Sequence, residues 1–224
     1  MARTPRDTRT RILDAARLEF ADRGFAGAGV DTIARRARVN KAMIYYHFAD
    51  KQALYRETLS DLFSALTARV RAIDEALPPA TRIERFIETA AGFLQQHPEL
   101  PRIMLRELAE GGTHLDQETL TTMQGLALSG TAIIAQGVAD GTFRPVHPVL
   151  TYFTVVGPLM MYLGGAPIRH ELVRRKLFPA EGLDSESFVR HLQTFVKLGL
   201  TAGPDTRATT ARRRPTRRTP GGPT

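Results

Sequence analysis

The chain has 224 residues, 42% of them apolar, enough to bury a sizeable core in one large domain or two small ones. It has no cysteine, which excludes a disulfide scaffold, a thiol nucleophile and any cysteine-held zinc or iron–sulfur centre. The net charge of +8 is unevenly spread: residues 1–51 carry 11 basic and 6 acidic side chains (+5), residues 52–202 carry 14 and 16 (−2), and residues 203–224 carry six arginines and one aspartate (+5).

Basic ends around a mildly acidic middle point to a polyanionic partner for at least one end. No apolar run approaches the ~20 residues of a membrane span. The arginines near the start have no apolar stretch behind them, so no secretory signal is expected there. The expected compartment is the cytoplasm, with no membrane partner.

Taken in chain order, the apolar period is helical nearly throughout. Residues 1–7 read as a flexible basic arm. Leu13, Ala16 and Phe20, with Ile12 and Ala15 beside them, predict a helix over 8–23 that Gly24 stops. Two short helices follow at 30–37 and 41–47, completing a three-helix domain over 8–50. Asp50 is a good N-cap for a connecting helix over 51–76, ended by Pro78 and Pro79. Thr81 then caps a segment with Ile83, Phe86, Ile87, Ala90 and Leu94 on one face, closed before Pro98. Further helices are predicted at about 99–110, 116–139, 148–163 and 185–201, punctuated by Gly111-Gly112, Asp140-Gly141 and Gly164-Gly165. No alternating strand and no internal repeat is visible, so the fold class is all-α, with a C-terminal helical domain over 77–202. From 203 onward the residues are Arg, Thr, Pro and Gly with little to bury, and a disordered tail is expected.

The two short helices, with a turn at Arg38-Val39-Asn40, make a helix-turn-helix packed on Ile33, Ala34, Ala37, Val39 and Ile44. The second of them turns Ile44 and Phe48 inward and leaves Lys41, Ala42, Tyr45 and Tyr46 on an exposed face. Hydroxyl, imidazole and ammonium groups from Tyr45, Tyr46, His47, Lys41 and Lys51 suit a phosphate backbone. The short Ala42 lets such a helix sit deep in a major groove. Taken singly, these residues have plainer uses: the tyrosines as packing aromatics, His47 as a cap of its own helix, Lys51 as a solvated helix start.

The stretch 9–59 resembles the DNA-binding domain of the TetR family of bacterial transcriptional regulators. The likeness rests on Gly24-Phe25, Ile33-Ala34, Ala37, Val39, Asn40-Lys41, Tyr45-Tyr46-His47-Phe48, Lys51 and Leu54. It implies that Lys41, Ala42 and Met43 face the groove while Tyr45, Tyr46, His47 and Lys51 hold phosphates. Three positions depart from the family pattern. Arg38 stands where glycine is common, a strained choice if that residue is left-handed. Gly29 replaces the usual Ser/Thr, removing a cap and a phosphate contact. Asp31 lies where a basic or polar residue often points at DNA; it would repel phosphate or accept from a cytosine amine.

The resemblance also implies a ligand-binding and dimerisation domain. Its last two helices would pair across a two-fold axis, here with Leu150, Phe153, Gly157 and Met160 on one and Phe188, Leu192, Phe195, Val196 and Gly199 on the other. Pro148 suits the start of its helix and Pro158 should kink it. Phe93, Met104, Met123, Leu126, Phe153 and Met160 are candidates for an effector pocket, with Glu107, Arg106 or His97 as polar anchors; the same residues would equally serve as core.

No HExxH or His-x₃₋₅-His spacing and no strand-borne phosphate loop is present, so neither enzyme activity, a metal nor a cofactor is expected. The expectation is a homodimeric regulator, a repressor released from a pseudo-palindromic operator in double-stranded DNA by a small, largely apolar effector. The alternative is an effector-independent architectural DNA-binding protein. Arg3, Arg6, Arg9 and Arg11 are the better candidates for a DNA-touching arm. The six tail arginines, among them Arg212 and Arg217, serve either as a second arm or as a solvated tail.

Overall fold

Residues 5–201 are described in the computed structural model, and among them there are ten helices and no strand. Residues 1–4, and with them Arg3, and the arginine-rich tail lie outside the described residues.

Helix α1 (Pro5–Gly27) begins earlier than the sequence predicts and continues past Gly24, which interrupts it with φ 69° and ψ 177°. That backbone conformation is open only to glycine at low cost. The early start draws Arg9 and Arg11 into the helix. α2 (Val30–Ala37) and α3 (Lys41–His47) follow, packed on each other and, through α2, on α1. α4 (Lys51–Arg71) is capped by the Asp50 carboxylate, which accepts from Ala53 N–H at 2.7 Å. It buries Tyr55, Leu59, Leu62, Leu66 and Val70 along one stripe, the spacing of an amphipathic helix. Its last predicted turn is absent: the chain leaves the helix after Arg71, and Asp74 Oδ1 accepts from Ala76 N–H in the following turn.

α5 (Pro79–Gln96) starts at a proline, whose missing N–H costs nothing in a first turn. α6 (Glu99–Ala109) and α7 (Gln117–Ala139) come next, the latter capped by Asp116, which accepts from Thr119 N–H at 2.9 Å. α8 (Pro148–Gly164) passes through Pro158 as one helix. A change of direction of 54° comes at Gly165, where the unforeseen α9 (Ala166–Arg174) begins. α9 buries no residue, so the core-facing period that reveals the other helices is missing from it. Asp184 caps α10 (Ser185–Leu200).

α4 ties the two halves together. It packs on α1 at one side and on α5 and α7 at the other, while α6 reaches back onto α1. Phe20, Phe25 and Tyr55 meet edge-to-face or stacked at this junction, with ring centroids 4.7 to 6.3 Å apart. Full burial of side chains such as Phe20 and Phe48 contributes about 1.5–3 kcal/mol each. In the C-terminal half α7 lies close against α8 because Gly130 leaves room for the Tyr152 ring. α8 and α10 keep apolar side chains on the outside: Leu150, Phe153 and Met161 on one, Phe195 and Leu198 on the other, all more than 60% exposed. Among the described residues no single helix is long and apolar enough to cross a membrane.

Candidate nucleic-acid interface

The helix-turn-helix is held from within by Ile33, Ala34, Ala37, Ile44 and Phe48, all buried. Arg38 ends α2 in the left-handed region, with φ 53° and ψ 49°, and its N–H turns back to the carbonyls of Ala34 and Arg35. Val39 N–H also donates to the Ala34 carbonyl, at 3.0 Å. The Arg11 guanidinium reaches across from α1 and donates to the Ala37 carbonyl and, at 3.0 Å, to that of Arg38. It satisfies carbonyls that the end of α2 leaves open. Asn40 then caps α3, its Oδ1 accepting from Ala42 N–H at 3.0 Å. Gly29, at the start of α2, has no side chain with which to cap it.

α3 accordingly presents Lys41, Ala42, Tyr45 and Tyr46 to the outside, Tyr46 at 76% exposure, with Met43 half-buried at their edge. The Tyr46 ring meets that of His47 edge-on at 5.1 Å. His47 is half-buried, and its Nε2 has no hydrogen-bond partner among the described residues. Lys41 Nζ lies 3.0 Å from Asp31 Oδ2, a hydrogen-bonded ion pair that raises the lysine's pKa. Asp31 therefore meets a cation of its own domain.

Lys51 is placed differently from the expectation. Its ammonium donates to the Ala26 carbonyl at 3.3 Å and sits 4.8 Å above the Phe25 ring, where burial lowers its pKa. It braces the end of α1 rather than standing free at the surface. Nor do Arg9 and Arg11 form an arm. Arg9 pairs with Glu57 of α4 and lies 5.4 Å over Phe48, and Arg11 closes α2 as described. Both are scaffolding, because α1 starts before them.

The effector-pocket candidates fall in three different settings. Phe93, Met104 and Leu126 are buried in the core of the C-terminal half, and Met123 and Met160 are half-buried against it. Phe153 is 61% exposed on the outer side of α8, since it shares the stripe that carries Leu150. Glu107 is turned the other way, toward α4. Its Oε1 accepts from the Tyr55 hydroxyl at 2.5 Å and lies 3.1 Å from His114 Nδ1. Burial first, then the bond to Glu107, raises the Tyr55 pKa and holds the phenol protonated. Arg106 donates to the carbonyls of Ala21 and Asp22, at 3.3 and 3.0 Å, where the Gly24 break leaves them free. His97 lies at the end of α5 with Nδ1 3.2 Å from Glu99 Oε1.

A junction therefore exists that the sequence reading missed. Gln52 and Tyr55 of α4, the end of α1, and Arg106, Glu107 and His114 around the end of α6 are joined by hydrogen bonds, including Gln52 Nε2 to the His114 carbonyl at 2.8 Å. The signal available in the sequence was Gly24-Phe25: a glycine inside a long helical run, followed by an aromatic, marks a break with something packed against it.

A capped, exposed second helix behind a tight turn, seated on an all-helical body, defines a helix-turn-helix DNA-binding transcriptional regulator. The description "Bacterial regulatory proteins, tetR family" matches residues 12–58, and "Tetracyclin repressor-like, C-terminal domain" matches residues 79–196. The chain belongs to the TetR family of transcriptional regulators. It is 28% identical over 156 residues to the HTH-type transcriptional regulator RutR of Escherichia coli strain K12, covering 70% of this chain and 74% of that one. It is 38% identical over 112 residues to the HTH-type transcriptional repressor SCO4008 of Streptomyces coelicolor, covering 50% and 55%. Its fold is that of the transcriptional regulator FadR from Bacillus subtilis, solved in complex with stearoyl-CoA, with a TM-score of 0.68 at 18% identity over 85% of this chain and 98% of that one.

Proposed function

We propose that the protein is a homodimeric repressor that holds a pseudo-palindromic operator and leaves it when a small, largely apolar effector binds the C-terminal half. The exposed face of α3 carries this reading: Lys41, Ala42, Tyr45 and Tyr46 stand out from a helix whose turn and cap fix its attitude. On this reading Lys41, Ala42 and Met43 face base edges, and Tyr45 and Tyr46 donate hydroxyls to phosphates. Asn40 sets the helix start, and His47 lies edge-on beside the Tyr46 ring at the same end of the helix. Lys51 acts at one remove by fixing the end of α1.

The outward apolar faces of α8 and α10 are the dimer contact, because large apolar patches left in water mark interaction sites. A dimer places two α3 helices one DNA turn, ~34 Å, apart. The repressor reading draws on the name of the Streptomyces relative, and the effector on the acyl-CoA complex of the Bacillus structure. An effector acts only if it binds the DNA-free arrangement better. The contacts of Arg106 and Glu107 with α1 and α4 are the path by which a shift of α6 reaches the DNA-binding half. The site of action is the cytoplasm, where such DNA is found.

The test is fluorescence anisotropy on the operator and on unrelated duplex. Tyr46→Ala with Tyr45→Phe should weaken binding on both by roughly tenfold per lost phosphate contact. Unchanged affinity at moderate ionic strength would remove α3 from the interface.

A further inference from the structure

Where α6 ends, two carboxylates and an imidazole converge. Glu107 and Glu110 stand one turn apart, and Gly111 and Gly112, with φ of 73° and 72°, reverse the chain so that His114 folds back over them. His114 Nδ1 lies 3.1 Å from Glu107 Oε1 and 3.3 Å from Glu110 Oε2, and the three donor atoms all fall within 4.8 Å of one another.

Glu107 is 2% exposed, and its Oε2 is buried with no hydrogen-bond partner among the described residues. Tyr55 and His114 both meet Oε1, so Oε2 is left unsatisfied, a costly arrangement for a buried carboxylate that a cation on the group would relieve. The surroundings fix the other groups. The Tyr55 hydroxyl orients the Glu107 carboxyl, and the Phe25 ring lies 4.6 Å from that of His114. Outer hydrogen bonds of the Tyr55 kind are what hold metal ligands in register.

We propose that Glu107, Glu110 and His114 bind a divalent transition-metal ion of the zinc class at the junction between the DNA-binding and C-terminal halves. Tetrahedral zinc with oxygen and nitrogen ligands at ~2.0–2.1 Å has ligand–ligand edges of ~3.3 Å, which the two spacings from His114 to the carboxylates, 3.1 and 3.3 Å, match. One imidazole with two carboxylates neutralises a dication and favours zinc-like ions over magnesium or calcium. A fourth position is left for water. Binding takes His114 as the neutral imidazole with Nδ1 free of its proton. The site does not depend on the operator or effector reading.

The experiment uses the full chain, stripped with chelator and dialysed. Zinc is titrated in competition with a chromophoric chelator, and cobalt is added separately to read visible d–d absorption. One ion per protomer is expected, with the cobalt spectrum of a low-coordinate nitrogen–oxygen site. Glu110→Gln and His114→Asn, both at partly exposed positions, should each weaken zinc binding by roughly tenfold or more. His97→Asn should leave it unchanged. No stoichiometric uptake at micromolar zinc overturns the proposal. So does uptake that survives Glu110→Gln, which keeps the side-chain shape and tests the site even if His114→Asn fails to fold; the ion would then belong to other histidines.

Discussion

Arg38→Gly should stabilise the protein. The residue occupies the left-handed region at φ 53°, where a side chain with a Cβ costs ~1–2 kcal/mol. Glycine removes that cost, but its looser unfolded chain returns about 0.5–1 kcal/mol. The net gain is therefore about 0.5–1 kcal/mol, or ~1–4 °C in Tm at the ~2–4 °C per kcal/mol usual for chains of this size. What Arg38 does for the turn survives, because it is done by backbone: the N–H bonded to α2 and the carbonyl that Arg11 holds. Arg38→Ala is the proper comparison, since it loses the same charge and keeps the Cβ. Both variants would be followed by chemical and thermal denaturation at one fixed protein concentration, as a dimer's stability depends on it. A glycine variant no more stable than the alanine variant would refute the strain argument.

The interior offers a paired test. A Cβ on Gly130 would lie 2.7 Å from Cδ2 of the buried Tyr152 ring and 3.2 Å from Phe86, so Gly130→Ala should cost about 1–3 kcal/mol. Gly125→Ala in the same helix meets nothing within 4 Å and should gain about 0.5–1 kcal/mol; equal effects in denaturation would contradict the packing described. Tyr55→Phe removes the hydroxyl from buried Glu107 and should cost about 1.5–3 kcal/mol, whereas a neutral result would mean the carboxyl finds another donor. Phe195→Asp with Leu198→Asp should turn dimers into monomers in sedimentation velocity, and a wild-type protein that is already monomeric at micromolar concentration would defeat the dimer reading.

Most of the helices were legible because each buries one stripe. Asp50, Asp116 and Asp184 are also caps that local chemistry explains. α9 escaped for the opposite reason, although Pro167 near its start was a usable signal. The turn and the outward face of α3 could be inferred because Ile44 and Phe48 fix its rotation. The fate of the charges could not. Arg9, Arg11 and Lys51 look alike in a string of letters, and only the fold decides that they meet Glu57, two carbonyls and Phe25. The partners of Glu107 were hidden for a related reason: helical period shows that it faces inward, not that Tyr55 and His114 meet it there.

The pairing of Asp31 with Lys41 has a consequence for how operator binding responds to salt. A lysine that neutralises a phosphate normally frees a cation condensed on the duplex, and the entropy of that release drives binding in dilute buffer. Lys41 arrives with its own intramolecular counterion. The pair brings no net charge to the groove, so its contact releases almost nothing and is weakened little by added electrolyte. Arg36 is likewise matched by Glu19 and Asp22 of its own domain, and Arg17 by Asp14 and by Asp61 of α4. On the proposed docking, the tyrosine hydroxyls of α3 carry much of the grip, and operator affinity should decline with ionic strength less steeply than the formal +5 of residues 1–51 suggests.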